Sequence, residues 1–144
     1  MASLVFGKFK EKLLTQANAI DFDDAGTTIK VMLVTSSYAP NQDTHDFVDD
    51  VTNEVSGTGY TAGGDALASK TVTLDTTNDR AEFDATDTTW STSTITARAA
   101  VLYKDTGTPS TSPLIAYIDF GSDKISSGGN FTIQWDAEGI LQIT

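Results

Sequence analysis

The chain has 144 residues and a mass of 15.3 kDa, which fits one domain with room for a hydrophobic core. Twenty Asp and Glu against nine Lys and Arg leave a net charge of −11, which disfavours a general nucleic-acid binder because phosphate contacts need clustered cations. With no cysteine and one histidine, a disulfide framework, a thiolate nucleophile, a sulfur-bound zinc and a multi-histidine metal site are all excluded. Thr and Ser supply about a quarter of the residues, and 16 of the 20 acids are Asp. These side chains suit turns and the solvent face of strands better than helices, so the body is predicted to be all-β.

Residues 3–18 carry the clearest helical pattern. Phe6, Phe9, Leu13, Ala17 and Ile20 recur at three- or four-residue spacing, Ser3 stands where an N-cap would, and Lys8 and Lys12 share the opposite face. Gly7 weakens that helix by about 1 kcal/mol relative to Ala. The segment is locally basic, unlike the acidic chain after it. The chain therefore divides into an N-terminal amphipathic helix or arm over 1–20 and a β-domain over 26–144. One use of such a helix is to cover an open end or edge of the sandwich. Another is to dock, as an arm, on an acidic or apolar groove of a partner.

The acidic turn DFDDAG at 21–26 stops the helix. Asp21, Asp23 and Gly26 mimic the start of a calcium loop, but Ala25 and Met32 stand where oxygen ligands belong. TIKVMLVT then alternates as a strand, with Ile29, Val31 and Leu33 on one face. Residues 36–51 form a long connection, in which THDFVDDV predicts one helical turn capped by Thr44 or Asp46. Asp46, Asp49 and Asp50 around Phe47 are expected to be a solvated face of that turn rather than a cation site. A weak strand is expected at 54–59. KTVTLD and RAEFDA flank the turn TTND as a hairpin, and TITARAAVLYK follows as a longer strand. LIAYIDF and FTIQWD read as two further strands separated by the turn SSGGN, and ILQIT closes the chain.

The sum is about eight strands divided by turn signals, which predicts a β-sandwich or jelly-roll-like fold with one N-terminal helix. His45 beside Asp46 has no nucleophile elbow to serve, Gly57 and Gly59 precede no helix, and the abundance of Asp makes any carboxylate pair uninformative. No catalytic residue, cofactor or metal is predicted. The longest apolar run is far shorter than a membrane span, and no signal-peptide pattern opens the chain. Synthesis in the cytoplasm is expected, with a cysteine-free secreted protein left open. Trp90, in the polar stretch TTWSTST, is the best candidate for a surface anchor, although core packing suits a tryptophan equally.

Several stretches together resemble a widespread family of small virion structural proteins of tailed bacteriophages. They are the segment from FGKFKEKLL through IKVMLVTSSYAP and THDF, then VLYKDTGT with SPLIAYIDF, and the closing NFTIQWDAEGIL. The resemblance implies a non-enzymatic virion component made in the host cytoplasm. Its expected partners are a major capsid protein or another virion protein, and further copies of itself, with no nucleic acid and no membrane. Within that class the expectation is a capsid decoration or cement protein that binds the lattice as an oligomer. The alternative is a tail or fibre component that binds host glycans through Tyr60, Trp90 and the loop tips. The residues expected to touch a partner are Phe6, Lys8, Phe9, Lys12 and Leu13 of the helix, with Tyr38, Phe47 and Trp90.

Overall fold

The computed structural model describes residues 2–16 and 19–144. In chain order it contains β1 (Leu4–Val5), α1 (Gly7–Thr15), β2 (Ile29–Val34), β3 (Asp65–Ala66), β4 (Thr71–Asp75), β5 (Arg80–Asp84), β6 (Thr88–Lys104), β7 (Leu114–Ile133) and β8 (Leu141–Ile143). Two antiparallel sheets form, one ordered β1-β7-β6-β2-β3 and the other β4-β5-β8. The fold is an all-β sandwich with an N-terminal helix, as its Thr, Val and aromatic alternation demands.

The 17-residue β6 and 20-residue β7 pair along most of their length and form the spine of the larger sheet. Their register breaks between Ala97↔Lys124 and Ala99↔Asp119, so Arg98 alone faces residues 120–123. Arg98 Nε donates to Asp119 Oδ1 across this bulge at 2.7 Å. The bulge bends the strand sharply. Phe120 and Phe131 rings lie 6.3 Å apart, although eleven residues of straight strand would separate them by roughly 35 Å.

The expected turn at SSGGN does not form, because those residues stay in the ladder with Ser126↔Ile95 and Ser127↔Thr94 paired. Ser93 and Ser126 are buried with their hydroxyls 2.7 Å apart, and Ser126 Oγ accepts the Ile95 N–H. Small hydroxyl side chains that hydrogen-bond within the strand can stay inside it, so a turn-like composition marks a bulged strand here.

β2 is buried on both faces: Ile29, Val31, Leu33 and Val34 are each 0% exposed. Lys30 alone carries charge there, and its ammonium pairs with Asp105 at 2.8 Å. The expected strand at 54–59 reduces to a single bridge, Val34↔Glu54. A Cβ on Gly57 would overlap the Thr94 carbonyl, and one on Gly64 (φ +74°) the Val31 carbonyl. This stretch thus lies flat against the large sheet as a glycine-rich connection rather than a strand.

The helix is shorter than the apolar periodicity predicts. Leu4 and Val5 pair with Tyr117 and Ala116 as β1, and the helix opens at Gly7. Ser3 is not its N-cap; its hydroxyl accepts the Asp119 N–H at 2.9 Å, while Gly7 N–H finds the Gln42 carbonyl at 2.7 Å. Gln16 ends the helix in the left-handed region (φ 56°). Ala17 lies outside the described residues, and Ile20 packs against the core. The predicted turn near Phe47 is the one-turn 3-10 helix Val48–Asp50, but neither Thr44 nor Asp46 caps it. The Asp50 carboxylate does so from inside, accepting the Asp46 and Phe47 N–H groups at 2.7 and 3.2 Å.

Candidate interaction surface

The helix that the sequence offers as a docking arm is fastened to its own chain. Phe6 and Phe9 are 0% and 3% exposed, so their spacing serves the core. Lys12 pairs with Asp46 and stands 4.1 Å over the centroid of the Phe47 ring, which takes both side chains out of play for a partner. Lys8 pairs with Glu11 on the helix surface at 2.9 Å, and Gln42 Nε2 donates to the Val5 carbonyl at 3.0 Å. Of the expected helix contacts, Leu13 stays partly exposed, beside a groove of about 350 Å³ that Phe9, Gln16, Ile20 and Pro113 also line. Leu14, not singled out by the sequence, is the most exposed large apolar residue among the described residues at 89%.

Tyr38 and Trp90 are interior residues, 4% and 5% exposed, and neither presents a ring to solvent. Trp90 packs between Tyr60 and Phe131, with centroids 5.9 and 6.0 Å away. Its neighbours in sequence are polar because β6 alternates, turning Thr89 and Ser91 outward and Trp90 inward. Tyr38 stacks on His45, whose Nδ1 lies 2.9 Å from the Tyr38 hydroxyl and 3.3 Å from the Asn41 nitrogen. The Asn41 N–H donates to Nδ1, so Nδ1 is an acceptor and the Tyr38 hydroxyl donates to it. Burial pushes the Tyr38 phenol well above the usual tyrosine range.

A second polar cluster, not foreseen from the sequence, surrounds Glu54. Its Oε1 accepts the Tyr60 hydroxyl at 2.8 Å and the Gly63 N–H at 2.6 Å. Tyr60 accepts the Leu33 N–H in turn, and Tyr103 donates to the Gly63 carbonyl at 2.6 Å. Burial, acting with Glu54, raises the Tyr60 phenol, and burial raises that of Tyr103. These groups point at one another and at backbone, which makes the cluster a staple that holds residues 54–64 on the large sheet.

The acidic clusters resolve in the same way. Asp50 serves the backbone of 46 and 47, Asp46 pairs with Lys12, and Asp24 accepts from Thr27. Among the described residues no group of three or more His, Asp or Glu side chains is arranged to hold a metal ion. Among the described residues no helix is long and apolar enough to cross a membrane.

Besides Leu13 and Leu14 on the helix, the smaller sheet and one strand edge stay open. Cross-strand register places Val72 beside Phe83 and Leu141, and Leu74 beside Ala81 and Ile143, all on one face. Phe22 covers part of the first row, its ring 4.8 Å from that of Phe83, while Val72 at the sheet edge stays 47% exposed. The second row is bare: Leu74 is 70% and Ile143 53% exposed. The opposite face is a charge network in which Arg80 reaches Glu82 at 2.6 Å and Asp75 and Glu138 at 3.4 Å. On the large sheet, β1 pairs with Ala116 and Tyr117 alone, so the outer side of β7 beyond Asp119 has no strand beside it among the described residues. Ile125, 72% exposed, lines a groove of about 400 Å³ there with Phe120, Phe131 and Ile133. The alternation T-V-T-L signalled the Val72–Leu74 stripe. Whether a second layer covers that stripe is a tertiary fact. No family model matches the chain, and neither a curated protein nor a solved structure matches it.

Proposed function

We propose that this chain is a non-enzymatic structural protein of a tailed-bacteriophage virion, acting as a capsid decoration or cement protein that binds the lattice as an oligomer. The family reading comes from the resemblance of the segments around IKVMLVTSSYAP, VLYKDTGT and SPLIAYIDF. The observation that supports it physically is the placement of exposed apolar side chains. Leu74, Ile143 and Ile125 sit on a sheet face and along a strand edge, surfaces suited to further protein, while Glu54, Asp46, His45 and the buried tyrosines bond inward. A net charge of −11 keeps such a module hydrated and resists clumping at high local concentration. Modest contacts per copy suffice on a repeating shell, because linked sites raise effective affinity without new contacts.

Phe6, Phe9, Tyr38 and Trp90 belong to the core, while Lys8 and Leu13 stay exposed, and the exposed apolar residues of the small sheet and the β7 edge are the partner surface of this reading. Cryo-electron microscopy of the intact particle tests the reading. Density for this fold on the capsid faces is the expected result. Density at the tail tip would make it a tail component, and a particle that lacks the chain would overturn the proposal.

A further inference from the structure

We propose that the outer edge of β4 pairs with the same edge of a second copy, about a two-fold axis at Thr73, and so joins two small sheets into one. The inference deepens the assembly reading above, and of that reading it needs only that the chain associates with itself. Thr71, Val72, Thr73 and Leu74 are all exposed, and no strand lies outside them among the described residues. Natural edges are blunted by lysine, proline, bulges or a covering loop. β4 has none of these over 71–75, and its register with β5 is unbroken. Unpaired N–H and C=O groups along such an edge select an extended strand as their occupant.

The sequence of β4 says which strand. Read antiparallel against itself about Thr73, it sets threonine against threonine, Val72 opposite the second copy's Leu74, and Thr71 opposite its Asp75. Such hydroxyl and aliphatic cross-strand pairs stabilise a sheet, and no carboxylates face each other. A two-fold axis perpendicular to the sheet keeps the apolar faces on the same side. The row Leu141–Phe83–Val72 then runs on into the second copy's row Leu74–Ala81–Ile143, and the converse row does the same.

Charge points to the same edge. Two copies at −11 repel each other nearly everywhere, and residues 71–74 carry no charge. The nearby acids are Asp75 and, one strand in, Glu82 and Asp84; Arg80 lies 3.4 Å from Asp75 and 2.6 Å from Glu82, and Asp75 meets a hydroxyl across the junction. A single strand pair buries less than a standard stable interface, so the solution dimer is expected to have a Kd on the order of 10–100 μM. Added salt screens the repulsion and tightens it.

Sedimentation velocity on the full-length protein across concentration and salt tests this. The expected result is a monomer–dimer equilibrium that strengthens between about 50 and 500 mM NaCl. A monomer up to about 1 mM, or association weakened by salt as a contact through the basic helix would be, overturns it. Leu74→Glu and Val72→Lys are each expected to weaken self-association at least about tenfold, because each puts a charge opposite an aliphatic side chain. Their equimolar mixture regains a dimer, since Lys at 72 faces Glu at 74 once per pair; no recovery overturns the register. Hydrogen exchange on the unmodified protein checks the edge without any variant. Amides of 71–75 should gain protection as concentration rises, and protection independent of concentration overturns the proposal. Dimerisation in solution and location on the particle are separate measurements, so either proposal can fail alone.

Discussion

The two sheets use the same residue classes but differ in what meets their apolar faces. The five-stranded sheet is covered over its centre, where Ile29, Val31, Leu33 and Leu102 are no more than 1% exposed, and open at the β7 edge, where Ile125 is 72% exposed. The three-stranded sheet is covered where Phe22 meets Phe83 and bare at Val72, Leu74 and Ile143. A covered face confers stability, and an uncovered face is a place for another protein. Ordinary polar satisfaction reinforces the contrast, since the buried hydroxyls and carboxylates of the large sheet are all engaged within the chain.

Stability measurements can break that comparison. Phe6→Ala is expected to cost about 3–5 kcal/mol in urea denaturation, because a fully buried ring leaves a cavity. A loss of under about 1 kcal/mol would show that the helix end is loosely packed. Gly64→Ala should cost about 2 kcal/mol or more, since it combines a positive φ with overlap on the Val31 carbonyl. Lys12→Met removes one partner of a mostly buried ion pair but keeps some contact with Phe47; about 1–2 kcal/mol is expected, read from the same transition. Leu74→Ser, on the bare row, should leave monomer stability within about 0.5 kcal/mol.

The pH dependence sharpens the same contrast. Tyr38, Tyr60 and Tyr103 have phenols raised by burial above the unfolded value of about 10. Above that pH the unfolded chain releases protons that the folded chain keeps, so stability falls as pH rises past about 10. Thermal unfolding between pH 8 and 11 should show this drop, and Tyr60→Phe should lessen it. At the acid end, the Arg98 hydrogen bond holds Asp119 below the usual carboxylate range. Its contribution is present above about pH 4 and is lost as pH falls below it, where the unfolded chain binds the extra proton. Asp119→Asn should flatten that acid limb of the melting curve.

Much of the fold was legible in the residues. Alternation located the β4–β5 hairpin and β8, because a strand with one buried face must repeat every second residue, and the apolar run at 29–34 located β2, which is buried on both faces. Where two faces compete or the chain bends, the pattern misled. SSGGN has turn composition yet lies inside β7, because Ser126 and Ser93 satisfy each other within the ladder. Ser3 has the form of an N-cap yet bonds to Asp119, because β1 claims the residues after it. Trp90 and the two helix phenylalanines have the form of contact residues, but aromatic side chains on a small domain are needed first by its own core.

The sequence by itself determined the class of the molecule: an acidic, cysteine-free sandwich of antiparallel strands behind one amphipathic helix. Those features follow from composition and period, which act locally along the chain. Tertiary structure alone decided which apolar stripes are covered. Phe9 and Leu74 occupy equally regular patterns, yet one is buried and the other bare. Burial depends on what the rest of the chain brings to a face, and residues far apart in sequence supply that cover. Phe22 packs on Phe83, whereas Leu74, two residues past Val72 on the same face, stays 70% exposed.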